Sequence, residues 1–427
     1  MKNSTTENHA MGDGTNRKPF QINEARLRAT LDAASAFGRT DDGKGVCRPS
    51  FSDADMAARH WLISELEASG LDAWMDPVGN VFGRWNAGQG PAVIIGSHLD
   101  SVPDGGRLDG TLGVLAGLEC IRSLQDQGFE PKCPIEVLAT SEEEGRFGGM
   151  LGSQALAGLV SQQWLQNAKD DSGTSLRDAM ARHGLEAADA LIIKRAPSTV
   201  RAFLELHIEQ GPVLDEKKIP VGVVTGISGC ANWSLTLTGL ANHAGTTPMD
   251  MRADAFAGLA DFASTIPQII EEYGTDQSRL TIGKVDITPN FPHTVPGEAQ
   301  CSLILRDMDE NIMRALADAC WARLEATANA HKLQWDIQLQ SWLPPAPCDN
   351  TMINLLKKQA ESLGIPTMTM PSGAGHDTQS MAQLTAAGLL FVPSINGISH
   401  STEEDTDWAD INKGCTVLLN TVAALAS

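Results

Sequence analysis

The sequence predicts an α/β protein with a mixed sheet flanked by helices and a second, α+β unit inserted into it. Three observations carry this. Short β-branched runs at 91–95 and 135–139 read as strands buried in a sheet. Stretches of helical periodicity separate such runs over the first two hundred residues. From residue 233 the order becomes β-α-β-β-α-β, the ferredoxin-like split motif. A chain of 427 residues is too long for one compact core. The expected division is a flexible tail over 1–18, a first domain over 19–227 and 342–427, and the inserted unit over 228–341.

In chain order, 22–37 and 52–69 are expected helices, the second opening on a Ser52-x-x-Asp55 start. Strands at 71–75 and 81–85 flank an Asp-Pro-Val-Gly-Asn turn. The strand at 93–95 delivers Gly96-Ser97-His98-Leu99-Asp100, and Leu108-Asp109-Gly110 precedes a helix at 111–124. Strand alternation puts His98 and Asp100 on one side, and a carboxylate behind an imidazole suits a metal-ligating histidine. Asp109 is a candidate oxygen ligand; the ordinary alternative is a solvated loop with a capping aspartate. The strand at 135–139 ends in Glu142-Glu143-Glu144. That run is either a solvated acidic face or a ligand beside a general base, since adjacent strand residues point to opposite sides.

Helices are expected at 156–166 and 175–183, then a strand at 201–206 ending in His207-Ile208-Glu209. The histidine with an acid two residues on repeats the His98/Asp100 pattern, and core packing explains two such sites poorly. In the inserted unit, strands at 233–239, 280–287, 298–305 and 333–340 alternate with helices at 252–273 and 311–331. It carries a polar cluster around His243 and Arg306, and its exposed strand edge invites a second copy, hence a homodimer. A helix at 351–363 and a strand at 389–392 complete the first domain, and His400 follows that strand. The Gly-rich loop Ser372-Gly373-Ala374-Gly375-His376-Asp377 opens a helix and is suited to presenting N–H groups to an anion.

Composition excludes other functions. A formal net charge of -21 opposes binding to nucleic acid or an anionic membrane. No apolar run is long enough to cross a bilayer, and residues 1–18 lack the apolar middle of a secretory signal. The eight cysteines are scattered without C-x-x-C spacing, which suits reduced thiols in the cytoplasm and disfavours a thiolate zinc site.

The segments GSHLDSVPDGGRLDG, TSEEEGRFG, ELHIEQGPVLD, ANHAGTTPM, SGAGHD and NGISHS, in this order, resemble the zinc-dependent amidohydrolases. These comprise N-carbamoyl-L-amino-acid hydrolases, allantoate amidohydrolases and β-ureidopropionases, relatives of the aminoacylase and carboxypeptidase dimetal clan. The resemblance implies a catalytic domain with an inserted lid and dimerisation domain. It implies two divalent ions, zinc first, with manganese, cobalt or nickel also tolerated by such ligands. His98 and His207 would hold one ion, Glu143 and His400 the other, and Asp109 would bridge them. Asp100 would orient His98, and Glu142 would be the base, by alignment on Arg146-Phe147; Glu143/Glu144 is the other possible base/ligand pair.

By the same resemblance, His243 would stabilise the oxyanion in the partner subunit's site, Arg306 would grip the substrate carboxylate and Gln210 would touch the ureido group. Many relatives place Asn in an Asn-Val-x-Pro-Gly segment of the lid. Here the segment reads His293-Thr294-Val295-Pro296-Gly297, with Asn290 three places earlier, so either residue is a candidate for the carboxylate clamp. The implied reaction is hydrolysis of an N-carbamoyl-L-amino acid or related ureido acid to amino acid, carbon dioxide and ammonia. Allantoate hydrolysis, or dipeptidase or deacylase activity, is the alternative; a binding protein of this fold without turnover is the distant one.

Overall fold

A computed structural model describes residues 18–427, so the expected tail lies, but for Lys18, outside the described residues. Strands β1 (Asp72–Met75), β2 (Val81–Trp85), β3 (Ala92–His98), β4 (Ile135–Thr140), β5 (Val200–Ile208) and β6 (Val221–Ile227) come first. The chain continues through β7 (Gly229–Thr238), a short β8 (Asn242–His243), β9 (Arg279–Thr288), a short β10 (Thr294–Val295), β11 (Glu298–Asp307) and β12 (Gln334–Leu343). It returns in β13 (Ala346–Pro347), β14 (Thr367–Ser372) and β15 (Ala387–Val392).

The larger sheet runs β1-β2-β4-β3-β5-β15-β6-β13, with β14 also paired to β6. Its centre is parallel: β4, β3, β5 and β15 all point the same way. Every residue of β3, β4 and β15 is buried, because helices cover both faces. Val93 and Ile95 face the helices Thr111–Asp126 and Trp408–Leu425, while Ile94 faces Leu156, Phe203 and Met381. The side chains that leave the C-terminal ends of these parallel strands therefore converge on one edge of a rigid sheet, the usual place for a site in such folds.

The second sheet has the order β12-β7-β11-β9 and is antiparallel throughout, as the ferredoxin-like pattern requires. It has its own core, with Trp233, Leu235 and Leu303 packed against Phe262, Leu316 and Leu324. Two expected helices are broken. The helix expected over 252–273 is Ala255–Ser264 followed by Ile266–Tyr273, because Pro267 lacks the N–H that would continue the first. The one expected over 156–166 is Leu151–Ala157 and Gln162–Asn167, separated at Gly158 with φ +73°. Strands β6 and β14 and the helix Trp408–Leu425 were not expected from the sequence pattern. All eight cysteines are free thiols. No helix among the described residues is long and apolar enough to cross a membrane.

Two fully buried arginines fasten the segment after β3. Arg48 donates from Nε to Leu99 O (2.8 Å) and from Nη2 to Thr111 Oγ1 (2.9 Å). Arg59 donates to Gly79 O, Thr140 O and Asp55, with Nη2 3.7 Å from Asp100 Oδ1. Asp55 and Asp100 are themselves fully buried, so removing the guanidinium leaves two carboxylates uncompensated. Arg59→Met is therefore expected to cost about 3–5 kcal/mol, measured by urea unfolding; a midpoint equal to the parent's would count against this clamp.

Candidate metal centre

His98 is the last residue of β3 and His207 the penultimate residue of β5. Asp109 lies in the turn that enters the helix Thr111–Asp126. That turn is held from far along the chain: Glu404 Oε1 accepts from Leu108 N and Asp109 N, both at 3.1 Å. Gly110 sits at φ +62°, and a Cβ there would stand 2.4 Å from the His98 ring. Glycine alone allows the turn to approach the imidazole this closely.

Five side chains meet at this edge. Asp109 Oδ1 lies 3.3 Å from His98 Nε2 and 3.1 Å from His207 Nε2, and the two Nε2 atoms are 3.5 Å apart. Asp109 Oδ2 lies 3.4 Å from His400 Nε2, which is itself 3.4 Å from Glu144 Oε2. His98 Nδ1 donates to Asp100 O and His207 Nδ1 to Ile208 O, each at 2.9 Å. Those bonds place the ring protons on Nδ1 and leave lone pairs on both Nε2 atoms. Nε2 of His98 and of His207, the latter also accepting from Gly110 N at 3.2 Å, thus stand beside Asp109 Oδ1, a buried oxygen with no hydrogen-bond donor. Ligand atoms at ~2.0–2.1 Å from a tetrahedral cation stand roughly 3.3 Å apart, so the spacing and the orphaned oxygen both fit a divalent ion. The second group, Asp109 Oδ2 with Glu144 and His400, offers another such set.

Three expectations are corrected here. The acids two residues after His98 and His207 do not orient the rings; backbone carbonyls do. Asp100 instead accepts from Ser50 Oγ (2.6 Å), Glu144 N (3.2 Å) and Glu143 N (3.4 Å), while Glu209 accepts from Val213 N and Leu214 N. Asp100 therefore positions the glutamate loop through its carboxylate and His98 through its carbonyl. Second, Glu142 does not face the cluster: it is buried at φ +59°, and its carboxylate accepts from Phe147 N (2.6 Å) and Gly149 N (3.1 Å). Burial, with Asp100 nearby, pushes its pKa up to about 8. The turn at Glu142 sends the next two side chains inward: Glu143 Oε2 stands 3.7 Å from His98 Nε2, and Glu144 takes the place beside His400. Third, His376 does not face the site cavity. It is buried against His207 and Phe391, with Nε2 2.9 Å from Ser372 Oγ, and burial and the neighbouring His207 hold its pKa well below the usual histidine range.

A cavity of about 700 Å³ opens over the cluster, lined among others by Glu143, Glu144, Gln210, Arg306, Gly375 and His400. Gln210 Nε2 donates to Asp109 Oδ2 at 2.8 Å. Arg306, from β11, donates to Gly373 O at 2.7 Å, so the Gly-rich loop turns a carbonyl toward a cation at this point. Its helix N-terminus is faced by the buried Asp377 of the same loop, which accepts from Thr140 Oγ1. His243, Asn290 and His293 are exposed together at the tip formed by β8 and β10 and do not line this cavity. His243 Nδ1 accepts from Gly245 N and Thr246 N, which leaves the proton on Nε2.

Residues that the sequence reading passed over are Glu404, Ser399 and the buried pair Arg48 and Arg59. Ser399 Oγ lies 3.2 Å from Asp109 Oδ2 and 3.3 Å from Glu404 Oε2. A glutamate following a strand-end histidine by four residues was the one available signal.

The peptidase family M20/M25/M40 matches residues 94–424. The chain belongs to this family. Among relatives of the M20 chain, an N-carbamoyl-L-amino-acid amidohydrolase from Paenarthrobacter aurescens is 37% identical over 94% of this chain and 97% of that one. An allantoate amidohydrolase from Escherichia coli strain K12 is 35% identical over 92% and 95%. A hydantoinase/carbamoylase-family amidase structure from Burkholderia multivorans superposes with a TM-score of 0.88 at 33% identity, covering 95% of this chain and 98% of that one. These findings agree with the α/β architecture read from the sequence and with the family resemblance.

Electrostatics set how this M20 site takes up metal. Burial opposes charge on His98 and His207, but the acids around them, Glu143 and Asp109 foremost, outweigh it and raise both pKa values. Hydrogen bonding to Asp109 outweighs burial for His400 and raises its pKa to about 9. Without metal His400 therefore holds a proton at neutral pH, so uptake of a divalent ion there displaces it and tightens as pH rises toward 9. Calorimetric titration of metal-free protein with Zn2+ in buffers of different ionisation enthalpy is expected to show proton release at pH 7 that declines toward pH 9. Buffer-independent heats would contradict this.

Proposed function

We propose that this chain is a two-metal amidohydrolase that cleaves the ureido C–N bond of an N-carbamoyl-L-amino acid or related ureido acid, giving amino acid, carbon dioxide and ammonia. The observation that carries the reading is Asp109, whose two oxygens face two separate ligand sets with Glu143 standing beside them. Near-full-length similarity to amidohydrolases of this type supports the substrate class.

In this reading His98, His207 and Asp109 hold one ion, and Glu144, His400 and Asp109 the other. The imidazole-and-carboxylate set suits zinc best, without excluding manganese, cobalt or nickel. When bound, the ions supply Lewis acidity to the attacking water and to the ureido carbonyl. Glu143 takes the proton from the attacking water and returns it to the departing nitrogen. Its pKa is raised strongly, burial first and then Glu144 opposing His98, which suits a group that must hold a proton between the two steps. Gln210 bonds the ureido group, and Arg306, half-buried at the cavity wall, receives the carboxylate.

His243, with its proton on Nε2, stabilises the oxyanion, and His293 or Asn290 completes the carboxylate clamp. All three lie at an exposed tip away from their own cluster, so they are assigned to the site of a partner subunit in a homodimer. An allantoate hydrolase, or a dipeptidase or deacylase of the same clan, would use the same metal chemistry. The protein acts on a small molecule in this reading, in the cytoplasm.

Hydrolysis of N-carbamoyl-L-amino acids and allantoate, read as ammonia, and of dipeptides, read as free amino acid, by metal-reconstituted protein tests the reading; ammonia from none of the ureido compounds would overturn it. Glu143→Gln is expected to lower kcat by about 10²–10⁴ with two metal ions retained by elemental analysis. Glu142→Gln is expected to keep turnover within a few-fold, since its carboxylate is bonded to Phe147 N and Gly149 N and does not face the cluster. Equal losses in both variants would return the base to Glu142. Mixed dimers of Glu143→Gln with His243→Ala are expected to regain turnover that neither parent homodimer has, because one site then holds both groups. No regain on mixing would place His243 in its own subunit's site or outside catalysis.

A further inference from the structure

The cavity over the metal centre has walls of two kinds. Its charged groups are those of the cluster and Arg306. Away from them the lining carries no charge, and four large apolar side chains reach it: Met150, Leu159, Trp164 and Leu343. They come from different places in the chain. Met150 and Leu159 flank the helix Leu151–Ala157, Trp164 belongs to the helix Gln162–Asn167, and Leu343 ends β12 in the other sheet. Leu159 and Leu343 are 48% and 43% exposed, so the described residues leave about half of each uncovered.

Backbone room has been made for this wall. A Cβ on Gly148 would lie 2.7 Å from Trp164 Nε1, and one on Gly375 would lie 2.7 Å from Met150 Cε. With glycine at both positions the indole and the Met150 methyl can lie this close to the backbone. Trp164 also leans on the apolar cluster around Phe147 and Leu151, which fixes the ring. The remaining side chains of the wall, such as Gln154 and Gln340, are neutral.

We propose that this wall is the side-chain subsite, and that the substrates are N-carbamoyl-L-amino acids with a neutral apolar side chain, of the leucine or methionine kind. The proposal rests on the ureido reading above. A substrate with its ureido carbon at the cluster and its carboxylate on Arg306 has one large substituent left to place. The apolar wall is the uncharged surface within the same cavity that gains by being covered. A carboxylate side chain would instead enter a cavity that already holds Glu143, Glu144 and Asp109.

The test is a panel of N-carbamoyl-L-amino acids (glycine, aspartate, leucine, methionine) with N-acetyl-L-leucine, on metal-reconstituted full-length protein. The kcat/KM for the leucine and methionine compounds is expected to exceed that for glycine by at least about tenfold, with aspartate the poorest. Trp164→Ala and Leu159→Ser are each expected to lower the leucine-to-glycine ratio by at least about fivefold. The ratio is read within each variant, so a loss of folded enzyme cancels. Calorimetry on Glu143→Gln gives a second readout: N-carbamoyl-L-leucine is expected to bind with a more negative heat-capacity change than the glycine compound, and Trp164→Ala to remove the difference. A ratio near one, or a ratio that neither substitution moves, overturns the subsite while leaving ureido hydrolysis intact. Cleavage of N-acetyl-L-leucine with no cleavage of any N-carbamoyl compound overturns the ureido reading and leaves the apolar subsite standing.

Discussion

Asp109 Oδ1 is a buried carboxylate oxygen with no hydrogen-bond donor, standing beside two imidazole nitrogens. A proton on an imidazole or a bound cation relieves that arrangement. The costs of burying unpaired charge are large, and the fold meets them by surrounding the cluster with fixed donors everywhere except at the metal positions. The loop bearing Asp109 is tied to Glu404, the ring protons of His98 and His207 are absorbed by backbone carbonyls, and Asp100 gathers the N–H groups of Glu143 and Glu144. Within the cluster, Asp109 Oδ1 is the buried oxygen left without a donor.

This tethering joins segments that are remote along the chain. Glu404 and Ser399, from the loop after β15, reach Asp109 nearly three hundred residues away. Arg59 connects the helix Asp53–Ala68 to the ends of β4 and β3 through Thr140 O and Asp100. Each motif is short; its placement comes from being cross-braced to the others at the C-terminal edge of a sheet buried on both faces. The second sheet contributes differently: it brings Arg306 and Leu343 to the cavity rim and carries His243 and His293 on a tip turned away from its own cluster.

His98, Asp109 and His207 could be singled out because each stands at a strand end or in an Asp-Gly turn, where local pattern alone marks a candidate position; His400 lies in the loop eight residues beyond β15. The inserted β-α-β-β-α-β unit was legible for a similar reason, since alternation and helical periodicity are local properties. The glutamate register was not. Three identical acids in a row carry no signal of which one turns away, and only the left-handed backbone at Glu142 and the waiting N–H groups of Phe147 and Gly149 settle it. The roles of Asp100 and Glu209 were misread because spacing cannot weigh a buried arginine or a helix N-terminus against a nearby imidazole. His376 looked like a loop residue beside glycines, yet it is packed under His207.

By itself, then, the sequence determined the kinds of chemistry available and the order in which they appear: strand-end imidazoles, a candidate oxygen-ligand aspartate, an acidic run, and an inserted β-α-β-β-α-β unit. These follow from short-range pattern, which survives without knowledge of distant partners. The tertiary structure alone decided which glutamates face the histidine cluster, which acids brace the backbone instead of the rings, and that an apolar wall shares the cavity with the charged groups. Those outcomes depend on through-space competition among groups separated by tens to hundreds of residues, and such competition is resolved only when the chain is folded.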